Sequence, residues 1–167
     1  MAPLDCDNDK IRHRNLSLHY NLLMTRIAIV IGSENDRGKM KAGLDLLENL
    51  GIEYEISVLS AHRNPDELDR YAAGLSERGL EVVIAGAGLS AALPGAISAR
   101  TVLPVIGVPL EAGTLGGLDA LLSMVQMPRG VPVATVGINN PANAAILALR
   151  ILALKHDWAA EALGKLA

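Results

Sequence analysis

Short apolar runs alternate along this chain with longer stretches in which apolar residues recur every three or four positions. RIAIVIG (26–32) is an apolar run closed by glycine and predicts a strand buried on both faces. After it, Met40, Leu44, Leu47 and Leu50 fall at helical spacing, and Gly51 supplies a stop. EYEISVL (53–59) sets Tyr54, Ile56 and Val58 against Glu53, Glu55 and Ser57, the alternation of a strand covered on one face. A second helix is predicted from about Pro65 to Arg78, with Leu68, Tyr71, Ala72 and Leu75 turned inward. The series continues as EVVIAGAG (81–88), a small-residue helix after a Pro-Gly break, PVIGVP (104–109), LDALLSMVQM (118–127), VPVATVGI (131–138) and PANAAILALRILALKHD (141–157). This repeated β-α pattern with short connections predicts one parallel sheet with helices on both faces. Residues 1–24 fall outside the pattern and read as an appended extension open to disorder, with Met24 a candidate start. Residues 25–158 form the expected nucleotide-binding catalytic domain, and residues 159–167 a helical tail.

Composition narrows the partners. Half of the 167 residues are hydrophobic, yet aromatics make up 2% and Phe is absent, so the core must be Ala, Val, Ile and Leu packed closely around glycine. The Ala- and Leu-rich last stretch (146–166) is apolar over more than one face, which predicts surface for neighbouring subunits and a symmetric homo-oligomer. The net charge is −3, and no basic run extends beyond KIRHR (10–14), so no nucleic-acid partner is expected. A lone Cys6 excludes an internal disulfide and suggests a reducing compartment, here the cytoplasm. No apolar run reaches the roughly 18 residues of a membrane span, and residues 1–23 lack the apolar core of a signal peptide.

In a parallel sheet of this kind, ligands bind beyond the carboxyl ends of the strands. The loops there are GSENDRG (32–38), SAHRNP (60–65), GAGLSAALPG (86–95) and EAGTLGG (111–117). In the second, Asn64 suits an N-cap, Pro65 the first helical position and Glu67 the reach-back position of a capping box. That places His62 and Arg63 on a rim where helix N–H groups collect anions. His62 is the one histidine in the body of the chain, since His13, His19 and His156 lie toward its ends. Ser33 and Arg63 around a phosphate, with Asp36 on sugar hydroxyls, would make a ribonucleotide pocket. Each residue also has a plainer reading. Ser33 and Asp36 could cap a helix, Arg63 could be a surface arginine, His62 a hydrogen-bonded structural histidine, and the glycines of the third loop turn residues. Convergence of the loops on one sheet edge favours the site.

These motifs, GSxxD, SAHRxPD, AGAG followed by LPG, LPVIGVP and LLSxVQMPRGVPVATVGI, together resemble the phosphoribosylaminoimidazole carboxylase family, over about residues 26–155. The resemblance implies a three-layer αβα sandwich of flavodoxin-like or Rossmann-like kind, a homo-octamer, no metal or organic cofactor, and N5-carboxyaminoimidazole ribonucleotide mutase activity in purine biosynthesis. It also implies roles. His62 would move protons; Ser33 and Arg63 would hold phosphate, Asp36 the ribose, and Ser60, Ala61 and the Gly86-Ala87-Gly88 backbone the imidazole and carboxylate. In the implied chemistry a carbamate releases CO2 in a dry pocket and ring carbon C4 captures it, while a side chain titrating near neutrality gives and takes protons.

Two departures from the family pattern stand out. Asn35 replaces a serine of the first loop, and Ala92 replaces a second histidine of the third. Ala92 keeps alternatives open: direct carboxylation of aminoimidazole ribonucleotide, a carboxylase or decarboxylase of another heterocyclic ribonucleotide, and a catalytically silent nucleotide-binding homologue.

Overall fold

The computed structural model describes residues 25–166; the expected extension over residues 1–24, with Cys6, His13 and His19, lies outside them. The strands are β1 (Ile27–Ile31), β2 (Tyr54–Val58), β3 (Val82–Gly88), β4 (Val105–Leu110) and β5 (Ala134–Thr135). They pair in parallel in the order β2-β1-β3-β4-β5. The helices are α1 (Arg37–Asn49), α2 (Pro65–Ala73), α3 (Leu93–Ser98), α4 (Leu118–Val125), α5 (Pro141–Leu152) and α6 (Asp157–Gly164).

Side chains alternate across each strand, so the sheet feeds two cores. On one face Ile27, Ile29, Ile31, Ile84 and Ile106 meet Met40, Leu44 and Leu47 of α1, Ala148 and Leu149 of α5, and Ala159 and Ala162 of α6. On the other, Ala28, Val30, Val83 and Ala85 meet Leu68 of α2, Ile97 of α3, and Ala120 and Met124 of α4. The result is the expected three-layer αβα sandwich, with the flavodoxin-like strand order.

The expected elements are altered where a strand is an edge or a helix meets glycine. Val58 was expected on the covered face with Tyr54 and Ile56, but it is 41% exposed, at the end of an edge strand that pairs only with β1. The second helix stops at Ala73, capped by Gly74, and the chain reaches Arg78 through turns that still bury Leu75. Only Ala134 and Thr135 of VPVATVGI join the sheet. Pro128 and Pro132 lack N–H donors, and Gly130 takes a left-handed turn between them. The last stretch divides into α5 and α6, and both bury their small residues in the core. That stretch still exposes Leu154 and Leu166, and a further group of exposed apolar residues lies on α4, where Leu118, Leu122 and Val125 are 50%, 48% and 51% exposed. His156, just before α6, takes a structural place: its Nε2 lies 2.8 Å from Glu81, which also pairs with Arg26, and its ring stacks on Trp158.

α1 lies unusually close to its neighbours. A Cβ on Gly43 would stand 2.6 Å from the carbonyl oxygen of Pro141, and one on Gly86 would stand 2.7 Å from Met40 Sδ. Gly43 therefore inverts an ordinary rule. Replacing glycine by alanine inside a helix normally stabilises by about 0.5–1 kcal/mol. Here the added methyl meets backbone, so Gly43→Ala should destabilise by about 1–3 kcal/mol, the usual range for overpacking. Urea unfolding of the two proteins decides the sign, and a gain in stability would refute the close contact.

Candidate active site

The carboxyl ends of β1, β2, β3 and β4 open into a cleft of about 420 Å³ lined by residues of four loops. Each loop is held by its own bonds. In the second, the Ser60 N–H donates to Asn64 Oδ1 at 2.7 Å, the Asn64 N–H to the Ser60 carbonyl at 3.1 Å, and the Arg63 N–H to Ser60 Oγ at 3.3 Å. This tight turn pushes Ala61, His62 and Arg63 outward. Asn64 thus braces the turn without capping the helix, and Glu67 accepts from Asn64 Nδ2 at 2.9 Å where the capping box would have it on the backbone. Ser33, extended at φ −156, accepts from the Asn35 N–H at 3.3 Å and starts a 3-10 turn over Glu34–Asp36 that runs into α1.

Side chains tie the loops to each other. Arg63 Nη2 donates to the Gly32 carbonyl at 2.9 Å and joins the second loop to the first. Lys39, in the first turn of α1, places its ammonium on the Glu111 carbonyl and joins that turn to the fourth loop. The third loop contacts the fourth at Gly88, where a Cβ would stand 2.9 Å from that of Ala112. Leu89 (φ 54) and Ala91 (φ 38) take left-handed backbone that side chains disfavour.

Asp36 is the cleft residue whose titration is clearly displaced. Burial pushes its carboxyl above the ordinary range, against the pull of Lys39, the Ser33 backbone and Arg63. Among the described residues, no three His, Cys, Asp or Glu side chains gather as a metal-ligand cluster.

The sequence profile of AIR carboxylase matches residues 26–167. The chain belongs to the AIR carboxylase family. An N5-carboxyaminoimidazole ribonucleotide mutase of Thermotoga maritima is 56% identical over 133 residues, which is 80% of this chain and 78% of that protein. A protein of the same name from Pyrococcus abyssi is 51% identical over 142 residues, 85% and 82% of the two chains. Among solved structures, Treponema denticola PurE superposes with a TM-score of 0.73 at 29% identity, covering 83% of this chain and 87% of the other.

Within this family member, Ser33, Asp36, Ser60, Ala61, His62, Arg63, Ala87 and Gly88 all line the cleft. Gly86 does not. It is buried one position earlier in β3, on the face where Met40 packs, and its N-terminal neighbours continue that alternation. Lys39 and Ala112 line the cleft and went unnoticed in the sequence. Lys39 had a legible signal: it follows Asp36 by three residues, the spacing that puts two side chains on one helix face. Ala92 is exposed toward the cleft, with Ser90 and Leu93 beside it.

The displaced titration of Asp36 has a measurable consequence. A carboxyl whose folded pKa is raised contributes its stability at low pH and loses it as pH rises through the folded value. At neutral pH, Asp36→Asn removes a half-buried charge without removing a helix cap, since Asp36 makes no side-chain cap bond. The variant should melt above the wild type at pH 7, and the gap should close toward about pH 4, where an ordinary aspartate is itself protonated. Thermal melts across that range test this; a variant that melts lower at pH 7 would contradict it.

Proposed function

We propose that this chain is an N5-carboxyaminoimidazole ribonucleotide mutase, forming 4-carboxy-5-aminoimidazole ribonucleotide in purine biosynthesis. The observation that carries the reading is the cleft itself: His62, Arg63, Ser33 and Asp36 converge over a floor of Ala87 and Gly88, in a chain 56% identical to a named mutase. In the proposed reaction the C–N bond of the carbamate breaks and its electron pair returns to N5, giving aminoimidazole ribonucleotide and CO2. The enamine pair at C4 then attacks CO2, and loss of the C4 proton restores the aromatic ring. His62 is the proton carrier, giving one to N5 and taking one from C4. Ser33 and Arg63 hold the phosphate, Asp36 the ribose hydroxyls, and Ser60, Ala61 and the Ala87-Gly88 backbone the ring and its carboxylate. Small residues bring the walls close, which favours capture of CO2 over its escape.

The assembly we propose is a homo-octamer in the cytoplasm. The Leu118, Leu122 and Val125 stripe supports association, because apolar residues spaced four and three apart expose one continuous strip of α4. No described helix is long and apolar enough to cross a membrane.

Replacing His62 by Asn keeps a planar polar group while removing its basicity. Turnover should fall by about 10²–10⁴-fold with little change in nucleotide affinity. Arg63→Ala should instead weaken nucleotide binding, by about 1.5–3 kcal/mol for a lost charged contact. Steady-state absorbance assays paired with calorimetry separate the two, and His62→Asn with wild-type turnover would end the assignment.

One observation favours a second reading. Ala92 opens onto the cleft where the family pattern carries an imidazole, leaving room for a substrate bulkier than aminoimidazole ribonucleotide. Ala92→His distinguishes the readings by sign. In a mutase that lost a helper group it should raise turnover, by tenfold for about 1.4 kcal/mol of transition-state stabilisation. In an enzyme of a bulkier heterocyclic nucleotide it should obstruct binding. No gain on aminoimidazole substrates, together with an undetectable wild-type rate, would favour the second reading.

A further inference from the structure

One cation of the cleft has no task in the mechanism above. Lys39 stands one helical turn beyond Asp36 on α1, and its ammonium reaches over the end of β3 to the Glu111 carbonyl at the end of β4. The Glu111 carboxylate is engaged elsewhere. Asn139 Nδ2 donates to Glu111 Oε2 at 3.1 Å, and the Glu111 N–H donates to Asn139 Oδ1 at 2.9 Å. Lys39 therefore enters no ion pair with a described residue, and neither does Arg63, which rests on the Gly32 carbonyl. Arg37, Lys41, Arg78 and Arg100, by contrast, are paired with carboxylates. The two in the cleft are parked on carbonyls, where a single neutral acceptor can be exchanged for an anion at a net gain.

Their separation says what kind of anion. Gly32 follows β1 and Glu111 follows β4, with β3 between them, so the two resting carbonyls stand two strand spacings apart, on the order of 10 Å. One phosphate seated at Arg63 is out of reach of an ammonium at Glu111. A ribonucleotide with a carboxylated base, however, has two anionic ends separated by its sugar and ring. We propose that Lys39 adds a charged contact to the carboxylate that the Ala87-Gly88 backbone holds, the carbamate in the substrate and the ring carboxylate in the product, while Arg63 holds the phosphate. This rests on the function proposed above. A lysine suits the task because its compact charge, three donors and flexible stem can follow a carboxyl group that moves from N5 to C4. In a chain whose third loop offers the methyl of Ala92 where an imidazole would stand, the ammonium supplies an orienting donor from the opposite wall.

The test compares two ligands that differ only in the carboxylate, 4-carboxy-5-aminoimidazole ribonucleotide and aminoimidazole ribonucleotide. Their binding is measured by calorimetry to the full chain and to its Lys39→Met and Lys39→Arg variants. Lys39→Met should weaken the carboxylated ligand at least tenfold and leave the other unchanged, and Lys39→Arg should recover most of the loss. Equal weakening of both ligands would overturn the proposal, because Lys39 would then serve the phosphate or merely latch the fourth loop. Unchanged binding of both would overturn it as well. A wild-type chain that binds neither ligand would bring down the mutase reading first, and this proposal with it.

Discussion

The seat of α1 against β3 and α5 is the constraint on which the cleft depends. Gly86 leaves space for Met40 to lie on the strand, and Gly43 lets the helix meet the backbone of Pro141. Those two approaches fix the helix axis, and the axis fixes its first turn. Asp36 and Lys39 stand over the end of β3 because Met40, one residue beyond Lys39, is locked into the core beneath them. The GAG run serves both sides of this arrangement. Gly86 admits the helix, Ala87 forms the cleft floor, and Gly88 admits Ala112 of the fourth loop. A core without large aromatics makes such close layers possible, since dispersion contacts are regained by bringing backbones together.

The third loop shows what a rigid frame can hold. Leu89 and Ala91 occupy left-handed backbone at a cost of roughly 1–2 kcal/mol each. Ala91 is buried, and the Leu89 side chain lies over Gly113, close enough that a Cβ there would meet it at 3.1 Å. Tertiary contacts thus maintain a shape the local sequence disfavours, and it is maintained beside Ala92. A loop kept under strain beside Ala92 holds its backbone shape through the frame around it and not through its own local preference.

How far the sequence was legible follows from how local each cause is. β1, β3 and β4 could be read from apolar runs because they are central strands covered on both faces. The exposure of Val58 and the brevity of β5 depend on which strands end up as edges, a long-range fact absent from either segment. The same division holds in the cleft. Loops after parallel strands must gather at one sheet edge, which is why His62, Arg63, Ser33 and Asp36 could be grouped from sequence. Gly86 stands apart because it lies deeper in β3, where Met40 of α1 packs against it, a long-range contact that the GAG run itself does not announce. The exposed stripe of α4 was not legible, since amphipathic spacing gives a helix its apolar face without saying whether that face is covered.

The electrostatics of the cleft oppose those of the chain. The chain carries a net charge of −3, yet Lys39 and Arg63 outnumber Asp36 at the cleft, and neither is neutralised by an ion pair with a described residue. Local excess of this kind draws an anionic ligand toward one place on an otherwise repelling surface. It also explains why a half-buried carboxylate is tolerable there. Burial alone would press Asp36 toward its neutral form, and the flanking cations oppose that pressure. A nucleotide that engages both cations would withdraw the pull each exerts on Asp36, so binding of the anion and proton affinity of that carboxyl are coupled through Lys39 and Arg63.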